Sequence, residues 1–140
     1  MREGLEIKLN NKVAELERFN QTLTEFGQHH GLAPRLVHDL NLALEEILTN
    51  IISYGYPDNR EHEIKVRLSM QPGEVQAEVE DDGQPFDPLA APEPDTAKSL
   101  EERTIGGLGI HLVRKLMDNL EYKRQGERNL LTMKKKTQEP

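Results

Sequence analysis

The strongest constraint on the fold lies between residues 64 and 81. Ile64, Val66, Leu68 and Met70 alternate with polar residues, Gln71-Pro72-Gly73-Glu74 supplies a turn, and Val75, Ala77 and Val79 resume the alternation. A period of two on both arms predicts an antiparallel hairpin with one apolar face. That face needs a cover, and the flanking sequence offers helices. From Val13 to about His29, the residues Val13, Leu16, Phe19, Leu23 and Phe26 recur every three or four positions, with Asn10 or Asn11 as cap and Gly27 or Gly31 as end. Pro34 suits the first turn of a second helix, which carries Leu36, Leu40, Leu44, Ile47, Leu48 and Ile51 until Gly55 and Pro57 stop it. A third helix begins near Gly107 and is expected to bury Leu108, Leu112, Val113, Leu116, Met117 and Leu120. Leu5, Ile7 and Leu9 predict a first strand; Leu120 to Arg124 and Asn129 to Lys135 predict a closing hairpin around Gly126. The order βααββ-loop-αββ predicts an α+β two-layer sandwich, with about three helices on one face of a mostly antiparallel mixed sheet. A single domain over residues 1–140 is the expectation at this length.

Composition narrows the functional classes. A formal net charge of -7 excludes the basic face of a nonspecific nucleic-acid binder, and Lys134-Lys135-Lys136 is too short to supply one. The chain has no cysteine, which removes disulfides and thiolate metal sites. MREGLEIKLN is not the start of a signal peptide, and nothing approaches the roughly 18 consecutive apolar residues of a membrane span. The expectation is a cytoplasmic protein with neither nucleic acid nor membrane as partner.

Three features break the structural pattern. On the second helix, at about 100° per residue, Glu46 and Asn50 fall about 40° apart on one flank of the apolar stripe, near Asp39, while Glu45 falls on the other. A carboxylate at the edge of a core can be shielded and still reach a ligand, as a general base must, and an asparagine carbonyl is a hard donor suited to Mg²⁺. Strand parity turns Asp81 inward with Val75, Ala77 and Val79, and Asp82 outward. An inward carboxylate needs a donor, such as the exocyclic amine of a purine or a nearby turn N–H. Residues 82–105 then hold prolines at 85, 88, 92 and 94 with no apolar repeat, and lead into Gly106-Gly107-Leu108-Gly109 at a helix start. Glycines there let a backbone approach phosphate groups closely.

In this order, Glu46-x-x-x-Asn50, Asp81-x-Gly83-x-Pro85-Phe86-Asp87-Pro88 and Gly106-Gly107-Leu108-Gly109 resemble the Bergerat-fold (GHKL) ATPases. EEILTNIISYGYP, DDGQPFDP and GGLGIHLVRKLMDNLEY are similar to motifs of the anti-sigma-factor serine kinases of bacterial partner switching. The resemblance implies ATP and Mg²⁺ as cofactors, Glu46 as catalytic base, Asn50 as metal ligand, Asp81 as reader of the adenine amine and Gly83 as the gap that admits the ring. It further implies that Gly106, Gly107, Leu108 and Gly109 line the phosphates under a lid at about 82–107, with Arg103 or Arg114 as the basic residue nearest the γ-phosphate. Its partners would be a STAS-domain antagonist, phosphorylated on serine, and a sigma factor or other regulator held inactive. A homodimer through the first strand or helix is a family expectation. The chain departs from the pattern at Pro85, which replaces a second glycine, and at Asn129-Leu130, where many relatives have Gly-Thr.

Two alternatives stand beside the kinase. One is an ATP-binding partner-switch module with little or no phosphotransfer, for which Glu46 would be superfluous. The other is a detached histidine-kinase catalytic domain, disfavoured because His29, His30 and His62 sit in no phosphoacceptor hairpin.

Overall fold

Alternation produces the sheet. In a computed structural model that describes residues 4–58, 60–85, 87 and 107–137 (the side chains of 107–110 excepted), the strands are β1 Gly4–Asn10, β2 Glu63–Gln71, β3 Glu74–Asp81, β4 Asn119–Gln125 and β5 Arg128–Lys136. They form one sheet in the order β1-β2-β3-β5-β4, and all four ladders are antiparallel, so no parallel pair occurs among the described residues. Register aligns the inward sets: Val66 opposes Val79, Val79 opposes Leu131, and Asp81 opposes Asn129. The outward face is charged. There Arg67 reaches Glu80 at 3.2 Å and lies 3.8 Å from both Glu6 and Glu78, while Arg128 meets Glu80 at 2.9 Å. One face is thus dry and the other wet, as an antiparallel sheet permits.

The dry face is covered by α1 Glu15–His29, α2 Pro34–Tyr54 and α3 Gly107–Leu116. Along α2 the predicted stripe is buried at Leu36, Leu40, Leu44, Ile47 and Leu48, which join Ile64, Val66, Leu68, Val75, Val79 and Met133 in a single core, while Ile51 is half-buried at its edge. Three expectations about the helices are corrected. Val13 is 63% exposed and precedes α1 instead of joining its stripe. Neither Asn10 nor Asn11 caps α1 through its side chain; Glu15 Oε2 reaches back to accept the Asn10 N–H at 3.0 Å. Asn11 is claimed by a distant loop, accepting from the His62 N–H at 2.8 Å and donating to the Arg60 carbonyl at 3.1 Å. Leu112 is 40% exposed, because Val113 and Met117, one turn apart, form the buried edge of α3. Leu108 lies outside the described side chains.

Of the two glycines expected to end α1, Gly31 does so, with φ of +65° just beyond the last turn. Gly27 is buried within the helix for a different reason: a Cβ there would stand 2.5 Å from Val37 Cγ2 on α2. Valine is stiff at χ1, so the helices themselves would have to part. Gly27→Ala is expected to destabilise the fold by about 1–3 kcal/mol, as overpacking does. Urea unfolding checks this through a lower midpoint at unchanged slope.

Candidate functional site

The inward polar residue at the end of β3 is where the core opens. Asp81 is only 4% exposed. Its Oδ1 accepts the Gly83 N–H at 2.8 Å and the Asn129 Nδ2–H at 3.0 Å. Burial pushes the Asp81 carboxyl above the ordinary carboxylate range; the Asn129 and Gly83 bonds pull it back, Asp82 adds a like charge, and Arg124 offsets part of that. No described residue donates to Oδ2.

The segment after Asp81 is clamped to the end of α2. Gln84 donates its backbone N–H to the Gly55 carbonyl at 2.9 Å and its Nε2–H to the Tyr54 carbonyl at 2.5 Å. These bonds satisfy carbonyls that a helix end leaves without partners. A Cβ on Gly83 would stand 2.7 Å from the Gly55 oxygen and 2.9 Å from Asp81 Oδ1, so contact of backbone with backbone already demands glycine here.

Between α2, β3 and β5 lies a cavity of about 260 Å³. Ile47, Ile51, Val79, Tyr122 and Leu131 give it apolar walls, and Asn50, Asp81 and Asn129 its polar groups. That volume is just below the roughly 300–1,000 Å³ of ordinary small-molecule sites, and it suits the flat apolar part of a ligand with its polar part outside. Asn50 is 8% exposed and its Nδ2 is buried with no partner among the described residues. An unmet buried amide costs about 1–3 kcal/mol, which a ligand oxygen would relieve.

The structure therefore brings Asn50 and Asp81 to one cavity, with Gly83 packed behind. Glu46 is half-buried, one turn before Asn50 and about 6 Å from it along the helix axis, outside the cavity lining. Glu45 is exposed, as the helical geometry requires, and Asp39 lies 3.9 Å from Lys135. Gly107, Leu108 and Gly109 open α3, which packs on α2. Gly106, Arg103 and most of the expected lid, residues 86 and 88–106, lie outside the described residues. Arg114 is half-buried and already has a partner.

Sequence reasoning passes over Tyr122, Arg124 and Gln84, and marks Asn129 only as a departure from the family pattern. The Tyr122 hydroxyl donates to Asn129 Oδ1 at 2.5 Å, and Arg124 Nη1 donates to the same oxygen at 3.1 Å and to the Gly83 carbonyl at 2.8 Å. A signal for Asn129 existed: it shares parity with the inward Leu131 and Met133, as Asp81 does with Val79.

Outward-pointing Asp82 has a separate task. The His62 ring stacks on Tyr56 with centroids 4.1 Å apart, and its Nε2 meets Asp58 at 2.9 Å while its Nδ1 meets Asp82 at 3.2 Å. A carboxylate at each ring nitrogen favours the doubly protonated imidazolium. The His62 pKa is raised, chiefly by the Asp58 bond, against a smaller desolvation effect and with further support from Asp82. Its stabilising contribution is therefore complete below about pH 6.5, the ordinary imidazole value, and is lost as pH rises through the raised one. In His62→Gln that slope of melting temperature against pH should flatten. The change should be only a few degrees, because both carboxylates are exposed and screened.

Fold and site together define an α+β domain with a helix-flanked cavity at one end of an antiparallel sheet. The chain belongs to the histidine kinase-like ATPase domain family, whose description matches residues 9–135. It is 34% identical over 99 residues to the serine/threonine-protein kinase BtrW of Bordetella bronchiseptica, covering 71% of this chain and 70% of that protein. It is 25% identical over 130 residues to the serine-protein kinase RsbW of Oceanobacillus iheyensis, covering 86% and 79%. Within the family it thus groups with protein serine/threonine kinases. The crystal structure of the RsbU and RsbW domains of a Mycobacterium tuberculosis protein superposes with a TM-score of 0.68 at 16% identity, over 98% of this chain and 33% of that one. The SiaB-SiaC complex from Pseudomonas aeruginosa gives 0.56 at 17%, over 92% and 88%. At such identities the structural likeness bears on the fold alone, and the fold is the one expected from the sequence. No helix among the described residues is long and apolar enough to cross a membrane.

Proposed function

We propose that this chain is a cytoplasmic, ATP- and Mg²⁺-dependent protein serine/threonine kinase acting as an anti-sigma regulatory factor. It would phosphorylate a serine of a STAS-domain antagonist and, in the alternative complex, hold a sigma factor or other regulator. One observation carries the reading. A buried carboxylate whose Oδ1 is already occupied and an amide whose Nδ2 has no partner among the described residues share a single apolar-walled cavity. Adenine supplies what each lacks, a flat ring for the walls and an amine for Asp81, while a phosphate oxygen supplies Asn50.

The residues present fit the metal as well. Asn50 offers Oδ1 as a hard oxygen ligand and Nδ2–H to a phosphate oxygen. Mg²⁺ characteristically takes few protein ligands and completes its shell with phosphates and water. When bound, the ion would neutralise charge on the phosphates. Glu46, a turn away, would accept the proton of the incoming serine hydroxyl. The backbone N–H groups of Gly107, Leu108 and Gly109, at the start of α3, together with that of Gly106 just before them in sequence, would hold the phosphates, with residues 82–107 of this one domain as lid.

Incubation with γ-labelled ATP, Mg²⁺ and a STAS-domain protein encoded nearby tests the proposal. Label on a serine is expected; intact ATP binding with no transfer to any STAS partner would remove the kinase reading. A second reading, a nucleotide-gated binding module, is favoured by Glu46 standing outside the cavity lining. It predicts that Glu46→Gln keeps normal, nucleotide-dependent partner binding and that the parent protein transfers no label.

A further inference from the structure

The cavity end of the sheet carries more machinery than the nucleotide reading uses. Asn129 is 6% exposed and its side-chain amide is fully engaged. Nδ2 donates to Asp81 Oδ1 at 3.0 Å and to the Gln84 carbonyl at 2.9 Å; Oδ1 accepts from the Tyr122 hydroxyl at 2.5 Å and from Arg124 at 3.1 Å. Two donors and two lone pairs exhaust the capacity of an amide. Turned over, the same group would set its N–H against the donor-only guanidinium of Arg124 and its oxygen against a carboxylate and a carbonyl. Arg124 is itself held, by the Gly83 carbonyl at 2.8 Å and the Gly126 carbonyl at 3.1 Å. The orientation of Asn129 is therefore determined from two sides.

We propose that Asn129, locked by Tyr122 and Arg124, is a positioning residue that makes Asp81 read an amino group and reject a carbonyl at the same edge of the base. The inference rests on the reading of the cavity as the base site. With Oδ1 occupied by Asn129 and Gly83, Asp81 offers the cavity one acceptor and no donor. An exocyclic amine completes that oxygen; a carbonyl oxygen in its place brings lone pair against lone pair. Without Asn129 the carboxylate keeps the Gly83 N–H as its one donor among the described residues, is free to turn, and is easier to protonate in its buried position. A protonated carboxyl donates, and a base with a carbonyl is then tolerated.

The test compares ATP with inosine triphosphate, which replaces the amine by a carbonyl, in calorimetric titrations of the full chain with Mg²⁺. The parent protein should prefer ATP by at least about tenfold, the loss of one hydrogen bond to a charged group. Asn129→Leu should bring that ratio toward one by weakening ATP while leaving inosine triphosphate nearly unchanged. Tyr122→Phe removes one lock and no Asp81 contact, and should lower the ratio in the same direction by a smaller factor; it carries the test if Asn129→Leu does not fold. Equal weakening of both nucleotides in the variants would make Asn129 merely structural and overturn the inference while leaving the adenine reading intact. Equal binding of both nucleotides by the parent protein would instead overturn the adenine reading, and the inference with it.

Discussion

Glu46→Gln is expected to lower serine phosphorylation of a STAS partner by about 10²–10⁴-fold, the usual contribution of a positioned general base, while ATP affinity stays nearly unchanged. The separation follows from geometry. Glu46 and Asn50 share a flank of α2, but only Asn50 borders the cavity, so the amide variant leaves the base-binding walls untouched. The fold should also survive, because Glu46 is half-buried on the helix flank and outside the apolar core. Single-turnover phosphotransfer together with calorimetric ATP binding checks both halves. A loss confined to the turnover rate identifies a group that acts on the reacting atoms, whereas a parallel loss of affinity would place Glu46 in the nucleotide site instead.

Asp81→Asn should have the opposite signature, a loss of ATP affinity with no loss of stability. The amide can keep Oδ1 as acceptor for Gly83 and Asn129, which leaves an N–H₂ group toward the cavity where a carboxylate oxygen stood. A donor then faces the adenine amine, and affinity should fall by about 10- to 100-fold, equivalent to one lost charge-assisted hydrogen bond. Stability should hold or rise. The folded-state pKa of Asp81 lies above its ordinary value because of burial, so ionisation costs the native state more than the unfolded chain. That cost grows as pH rises from the ordinary carboxylate range through the raised pKa, and then levels off. The melting-temperature advantage of Asp81→Asn should therefore widen over that window and remain constant above it. ATP affinity of the parent protein should decline as pH falls through the same window, since the protonated carboxyl is a donor.

Much of this arrangement was readable from spacing. Period-two alternation locates β2 and β3 to within a residue, and the same parity turns Asp81 inward. Helical geometry separated exposed Glu45 from half-buried Glu46 and buried Asn50. What periodicity cannot supply is where a helix begins or which flank of its apolar stripe is covered: Val13, just before α1, and Leu112, in the middle of α3, were expected inside and lie exposed. Nor can it supply partnerships across the fold. Asn11 looked like a helix cap because caps are local, yet a loop some fifty residues away claims its side chain. Asn129 stood out only as a departure from a motif. Its meaning came from the β3–β5 register, which sets it against Asp81, and from β4, which brings Tyr122 and Arg124 within reach. Gly83 shows how one glycine can satisfy two demands, since the Gly55 carbonyl excludes a side chain before any ligand is considered.

Amide hydrogen exchange of the full chain, with and without Mg²⁺ and ATP, tests most directly whether the cavity between α2, β3 and β5 is the nucleotide site. Protection is expected to rise at the end of α2 around Asn50 to Gly55, at Asp81 to Gln84 and at Asn129, and to vanish in Asp81→Asn at the same nucleotide concentration. ATP binding that protects other segments, such as the His62 loop, and leaves these amides unchanged would contradict it.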